Sequence, residues 1–316
     1  MAEIIFKAKN VTKQYKKLQF PNFQCKISTV LDGVDMEIHK GDIYGVVGAN
    51  GAGKTTIMRI MAGLVFPTQG NIELFGECRQ EKLYQQRCRM NGIIESPALI
   101  PSLTAQDNLE ICCLRQGIKG KKCINEVMKV VGLSQEDIKG VKVKNYSLGM
   151  KQRLGIAKSL IGNPEFLFFD EPLNGLDPSG IREFRELIRT LNQRGITILI
   201  SSHLLRELDQ TATCYGFVHN GKVIEQISAN DLQRKFNKYM LIKVDNDSMA
   251  EKVLKEVFGV NRIEVVSKGI IHLREQFDMK GKIVQALNMK GILVEEITIK
   301  GEDLENYYMS LIGRND

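Results

Sequence analysis

Nine residues, "GANGAGKTT" (Gly48–Thr56), constrain this chain more than any others. They fit the pattern GxxxxGK[ST]. The short apolar run "DIYGVVG" (Asp42–Gly48) precedes them and a segment of helical character follows, which is the strand–loop–helix context in which this pattern binds phosphate. Glycine lets backbone N–H groups close around phosphate oxygens, and the helix behind them adds the positive end of its dipole. Gly48, Asn50, Gly51, Gly53, Lys54, Thr55 and Thr56 are therefore the nucleotide-binding candidates. Lys54 is expected to reach the β- and γ-phosphates, and Thr55 to offer its hydroxyl to Mg²⁺.

A second motif fits the first. "FLFFDE" (Phe166–Glu171) is an apolar strand that ends in two carboxylates. Asp170 is expected to hold Mg²⁺ as a hard oxygen ligand, directly or through water. Glu171, one residue further on, is placed to polarise a water aimed at the γ-phosphate. A strand that merely surfaced would not explain two acids after four apolar residues. The pair of motifs predicts a nucleotidase that uses Mg²⁺.

The rest of the chain supplies a scaffold for such a site. Up to about residue 235, short β-rich runs alternate with helical patterns, the signature of an α/β protein with a mostly parallel sheet. "EFLFFDEP" and "GITILISS" are apolar without alternation, which suits central strands covered on both faces. "PSGIREFRELIRTLNQRG" opens with Pro and closes with Gly, as helices do, and "HNGK" reads as an Asn-Gly hairpin. Near residue 236 the pattern changes to a βαββαβ order, a split-βαβ or ferredoxin-like α+β domain over 236–316, with a closing helix at Asp303–Gly313. Nothing in that stretch looks catalytic, so it reads as a docking or regulatory module.

Composition excludes several alternatives. The net charge of +7 is mild, no long Lys/Arg block stands out and there is no Trp, so a nucleic-acid partner has no support. Seven cysteines are scattered with no CxxC pair, which predicts free thiols in a reducing cytosol. Residues 1–20 contain no apolar signal-peptide core, and runs such as Ile196–Ile200 fall far short of the ~20 residues that span a bilayer. If the protein works at a membrane, another chain must hold it there.

Three further motifs narrow the reading: "YSLGMKQR" (Tyr146–Arg153), "NGLDP" (Asn174–Pro178) just after the acids, and "SSH" (Ser201–His203) at the end of the next strand. In this order and spacing the chain, over about residues 3–230, resembles the ATP-binding cassette (ABC) ATPases. The resemblance implies a P-loop cassette over 1–235, with a RecA-like core, an antiparallel β part and a helical subdomain at about 96–160. It implies that Ser147 and Gly149 belong to the family's signature, Asp177 to its D-loop, and His203 to the switch that contacts the γ-phosphate. Tyr15, in "VTKQYKK", matches the aromatic that stacks on adenine, ahead of an apparent insertion at Leu18–Thr29. Tyr146, Leu148 and Met150 depart from the signature's usual Leu, Gly and Gln.

The family implies partners as well: a second cassette facing head to tail, with a homodimer expected, and a polytopic membrane permease. The cassette would then sit peripherally on the cytoplasmic face of the membrane. "GIIESPALIPSLTAQDNL" is similar to the ATPases of bacitracin-type and lantibiotic immunity and export systems, with Glu95 where the family usually has a metal-contacting Gln. Glu95 is thus an expected third Mg²⁺ ligand. An importer ATPase, or a soluble ABC protein of translation or DNA repair, is the alternative on sequence alone.

Overall fold

In the computed structural model, which describes residues 3–19, 24–118, 121–133, 138–236, 239–301 and 303–315, the chain opens with a long antiparallel hairpin. Its strands are β1 (Ile4–Gln19) and β2 (Gln24–His39). There follow β3 (Ile43–Val47), α1 (Lys54–Met61), β4 (Gln69–Leu74), α2 (Gln80–Arg87), β5 (Met90–Ile93), α3 (Ala105–Arg115), α4 (Lys121–Val130) and α5 (Leu148–Leu160). The alternation continues with β6 (Phe166–Asp170), α6 (Pro178–Gln193), β7 (Thr197–Ser202), α7 (Leu205–Asp209), β8 (Cys214–His219) and β9 (Lys222–Ser228).

Two sheets result. β2-β1-β4 is antiparallel, and β5-β6-β7-β3-β8-β9 is parallel except for its last strand. Every residue of β3, β6 and β7 is buried, which is why these strands read as unbroken apolar runs. β9 returns through a tight turn in which Asn220 and Gly221 both have positive φ, as a type I′ hairpin requires. One apolar cluster joins Phe6, Leu31 and Met36 of the small sheet, Ile57, Met58 and Met61 of α1, and Val46, Phe166 and Phe168 of the large one. α1, and with it the glycine-rich loop at its head, is part of this core.

β1 pairs with β4 only as far as Thr12↔Gln69, but with β2 on to Gln19↔Gln24. The apparent insertion at Leu18–Thr29 is therefore mostly a continuation of the hairpin as a two-stranded ribbon. Residues 20–23 of that stretch lie outside the described residues.

Residues 230–316 form a second compact unit, beside 1–229. Helix α8 (Ala229–Lys235) leads into it, and it contains β10 (Tyr239–Val244), α9 (Asp247–Phe258), β11 (Ile263–Ser267), β12 (Ile270–Leu273), α10 (Lys280–Met289), β13 (Val294–Lys300) and α11 (Leu304–Asn315). Its antiparallel sheet is ordered β11-β12-β10-β13. Alternate residues Met240, Ile242 and Val244 pack with Ala250 and Leu254 of α9 and Ile283 and Leu287 of α10. Phe236 meets Tyr307 edge to face, which ties it to α11 inside this unit. The division at Ala229/Asn230 thus precedes the change of pattern near 236. Among the described residues no helix is long and apolar enough to cross a membrane.

The fold positions α5 by close approach. A Cβ on Gly155 would stand 2.7 Å from Pro97 Cβ and 2.9 Å from Ile93 Cδ1. Gly155→Ala is expected to destabilise the first unit by about 1–3 kcal/mol through overpacking, although alanine favours helix. A lowered urea midpoint at unchanged slope would check it.

Candidate active site

The glycine-rich loop leaves β3 at the carboxyl edge of the parallel sheet. A Cβ on Gly48 would lie 2.6 Å from the Val218 carbonyl oxygen, so the first loop residue must be glycine. Gly51 and Gly53 have φ of 83° and 114°, conformations that glycine alone adopts cheaply. Gly53 is the N-cap of α1 and brings no side chain to the first turn, so no capping group occupies the place where an anion would meet the helix N–H groups.

Lys54 is 5% exposed. Its Nζ donates to the carbonyl oxygens of Gly48 (2.7 Å) and Ala49 (3.2 Å) and lies 3.1 Å from Glu171 Oε1. Thr55 Oγ1 donates to Asp170 Oδ2 at 2.7 Å, and Ser201 Oγ donates to Asp170 Oδ1 at 2.6 Å. Ser201 Oγ also accepts from the Glu171 backbone N–H at 2.8 Å. His203 Nδ1 is 2.8 Å from Glu171 Oε2. Neighbouring strands β3, β6 and β7 deliver all of these groups to one edge.

Thr55 and Asp170 offer two hard oxygens side by side, which fits Mg²⁺. The buried Glu171 Oε1 takes no hydrogen bond despite its nearness to Lys54, and Glu171 has a φ of 48°, unusual for a residue with a side chain. The acid is thus held at Oε2 by His203 and left without a hydrogen bond at Oε1.

Other expected site residues lie elsewhere. Ser147 caps α5 by accepting from the Met150 N–H at 3.2 Å, and Asp177 caps α6 by accepting from the Gly180 N–H at 2.8 Å. Ser147, Gly149 and Asp177 line one cleft of about 790 Å³. Leu148 reaches across this region: a Cβ on Gly175 would lie 2.7 Å from Leu148 Cδ2. Tyr15 is on the β1–β2 ribbon, 37% exposed, with Lys13 Nζ 5.0 Å from its ring centroid. Asn50 and Thr56 stay with the glycine-rich loop and α1, the first exposed and the second buried. Glu95 does not sit with Asp170 and Thr55 in this structure: its carboxylate pairs with Arg59 of α1. Among the described residues, no group of three His, Cys, Asp or Glu side chains could hold a metal ion.

Two participants went unassigned in the sequence reading. Ser201 was legible as one of two hydroxyls ending an apolar strand, immediately before His203. Arg59 had no signal, since basic residues in a helix's last turn are ordinary.

Comparison with known proteins gives concordant results. The family model described as "ABC transporter" matches residues 31–174. The bacitracin transport ATP-binding protein BcrA of Bacillus licheniformis is 39% identical over 90% of this chain and 92% of its own length. The lantibiotic transport ATP-binding protein SrtF of Streptococcus pyogenes is 40% identical over 76% of this chain and 99% of its own. A solved dimeric ATP-binding cassette in a post-hydrolysis state, bound to ADP and Pi, superposes with a TM-score of 0.62 at 26% identity, covering 71% of this chain and 99% of that one.

Asp177 gives a pH-dependent prediction. Its carboxyl is held below the ordinary aspartate value of 3.8 by the Gly180 N–H first and the Ser179 hydroxyl second. A depressed folded-state value adds stability above the ordinary value, and that stability is lost as pH falls through the depressed one. Asp177→Asn is expected to lower the thermal midpoint at neutral pH, with the gap to the parent closing in strong acid. Melting curves across the acid range would check it.

Proposed function

The chain belongs to the ATP-binding subunits of ABC transporters, and from that premise we propose that it powers export of, or immunity to, a peptide antibiotic of the bacitracin or lantibiotic kind through a separate membrane subunit. The observation that carries this reading is the buried Lys54 beside Glu171, next to the Thr55–Asp170–Ser201 relay, in a chain matching such transport ATPases over most of its length.

In this reading the loop N–H groups and Lys54 bind the β- and γ-phosphates, and Tyr15 stacks on adenine. Thr55 and Asp170 would hold Mg²⁺, which neutralises charge on the phosphates. Once Lys54 turns from Glu171 to the γ-phosphate, Glu171 accepts the proton of the attacking water, and ADP and phosphate are released. His203 orients Glu171 and faces the γ-phosphate. Ser147, Gly149 and Asp177 lie in a different cleft because they serve the nucleotide of a second cassette, placed head to tail. The cassette works at the cytoplasmic face of the membrane. Residues 236–316 are an accessory docking or regulatory module.

Glu171→Gln is expected to reduce ATP turnover roughly 10²–10⁴-fold while ATP binding persists and a dimer accumulates. Steady-state phosphate release, ATP binding and light scattering would check the three parts. Full turnover in this variant would sink the assignment of Glu171. Pull-down from detergent-solubilised membranes of the host without a polytopic chain would sink the transporter role.

A further inference from the structure

Three carboxylates end adjacent strands at one sheet edge. β5 and β6 are parallel neighbours paired as far as Ile93↔Phe169, so Ile94 and Glu95 leave one strand beside Asp170, the last residue of the other, and Glu171 after it. One helix engages all three acids. Lys54 is paired with Glu171, Thr55 donates to Asp170, and Arg59 pairs with Glu95. Thr55 and Arg59 are four residues apart in α1 and so lie on the same side of it. Glu95 has a φ of 64° and Glu171 a φ of 48°, both in the left-handed region that favours glycine. The chain keeps carboxylates at both positions all the same.

We propose that Arg59 is a positioning residue, which holds the Glu95 carboxylate away from the metal–nucleotide site at Thr55 and Asp170, and that Glu95 joins that site only when this ion pair opens. The inference rests on the Mg-ATP reading above and goes beyond it by assigning Arg59. The charges argue for it. A third bare carboxylate beside Asp170 and Glu171 would raise the repulsion at the edge, and Arg59 offsets it. The pair is also easily opened. The Arg59 side chain is 35% exposed and that of Glu95 is 65% exposed, so solvent screens their attraction. A divalent cation seated between Thr55 and Asp170 is a stronger partner for a carboxylate than a solvent-washed guanidinium. The result is a two-position side chain whose balance the metal shifts.

The test titrates the full chain with Mn²⁺ in the presence of a non-hydrolysable ATP analogue, following the loss of the free-ion EPR signal. Arg59→Met should bind Mn²⁺ roughly two- to fivefold more tightly than the parent, the range set by a weak exposed pair. Arg59→Lys should stay close to the parent. Arg59→Met combined with Glu95→Gln should lose the gain, and Glu95→Gln alone should bind Mn²⁺ less tightly than the parent. The last measurement stands even if Arg59→Met fails to fold. Equal affinity in Arg59→Met and the parent would overturn the proposal, and so would a gain that survives in the double variant, since Arg59 would then act only through its distant charge. If the parent binds the analogue but Glu95→Gln changes nothing, the role of Arg59 falls while the ATPase reading stands. Failure of the parent to bind Mn²⁺ with the analogue would overturn both.

Discussion

Helix α1 is buried on nearly every side. Ile57, Met58, Ile60 and Met61 are almost wholly removed from solvent, packed in the cluster that joins the small antiparallel sheet to the large parallel one. Each such side chain contributes about 1.5–3 kcal/mol by leaving water, so the helix is firmly held although it is only eight residues long. An isolated helix of this length would not persist in water. The site depends on this packing. Lys54, Thr55 and Arg59 all project from α1, and their partners Glu171, Asp170 and Glu95 all lie at or just past the ends of strands in one sheet. Loosening α1 would disturb all three contacts together.

The same packing explains how a lysine can be buried. An ammonium group out of water needs compensation, and Lys54 receives it from two loop carbonyls and Glu171. Glu171 is held on its other side, where His203 Nδ1 lies 2.8 Å from Oε2. Glu171 Oε1 lacks a hydrogen bond, and its backbone sits in a sparsely populated conformation that costs about 1–3 kcal/mol. On the proposed reading, a phosphate group that takes Lys54 from Glu171 breaks an ion pair but no hydrogen bond to Oε1. Asp170 is different: Thr55 and Ser201 each give one of its oxygens a hydrogen bond. One acid is thus hydrogen-bonded at both oxygens and the other at Oε2 alone, a difference that suits the metal ligand and the base of the proposed mechanism.

Much of this was legible in the sequence because the relevant signals are local. The glycine-rich loop must contain residues that tolerate positive φ, and strands covered on both faces must be apolar until they surface as Asp170 and Glu171. Ser147 and Asp177 could be found because they stand within short motifs, and both turn out to be helix N-caps. What escaped depends on pairing across distance. Arg59 is 36 residues from Glu95, and nothing local marks it. The ribbon beyond Thr12 looked like an insertion because β1 there has no β4 beside it and Lys26–Thr29 of β2 are exposed, so no buried face imposes alternation on them. The compact units divide at Ala229/Asn230, and Phe236 joins the second of them by packing on Tyr307, 71 residues away in the chain. Local pattern registers a change of period, whereas a unit boundary is set by which side chains touch.

Leu148 shows how one departure from a family pattern can be absorbed. A leucine where the signature usually has glycine puts bulk at the head of α5, and half of its surface remains exposed. Its Cδ2 fills the space where Gly175 lacks a side chain, and Gly175 has a φ of 75° that favours glycine on its own account. The leucine thus fits against a bend that was already obliged to be small. The contact joins the helix capped by Ser147 to the loop that carries Asp177, two segments that line the same cleft. The Leu148 side chain therefore packs directly on the 174–177 loop, and the family's usual glycine would leave a gap at that point.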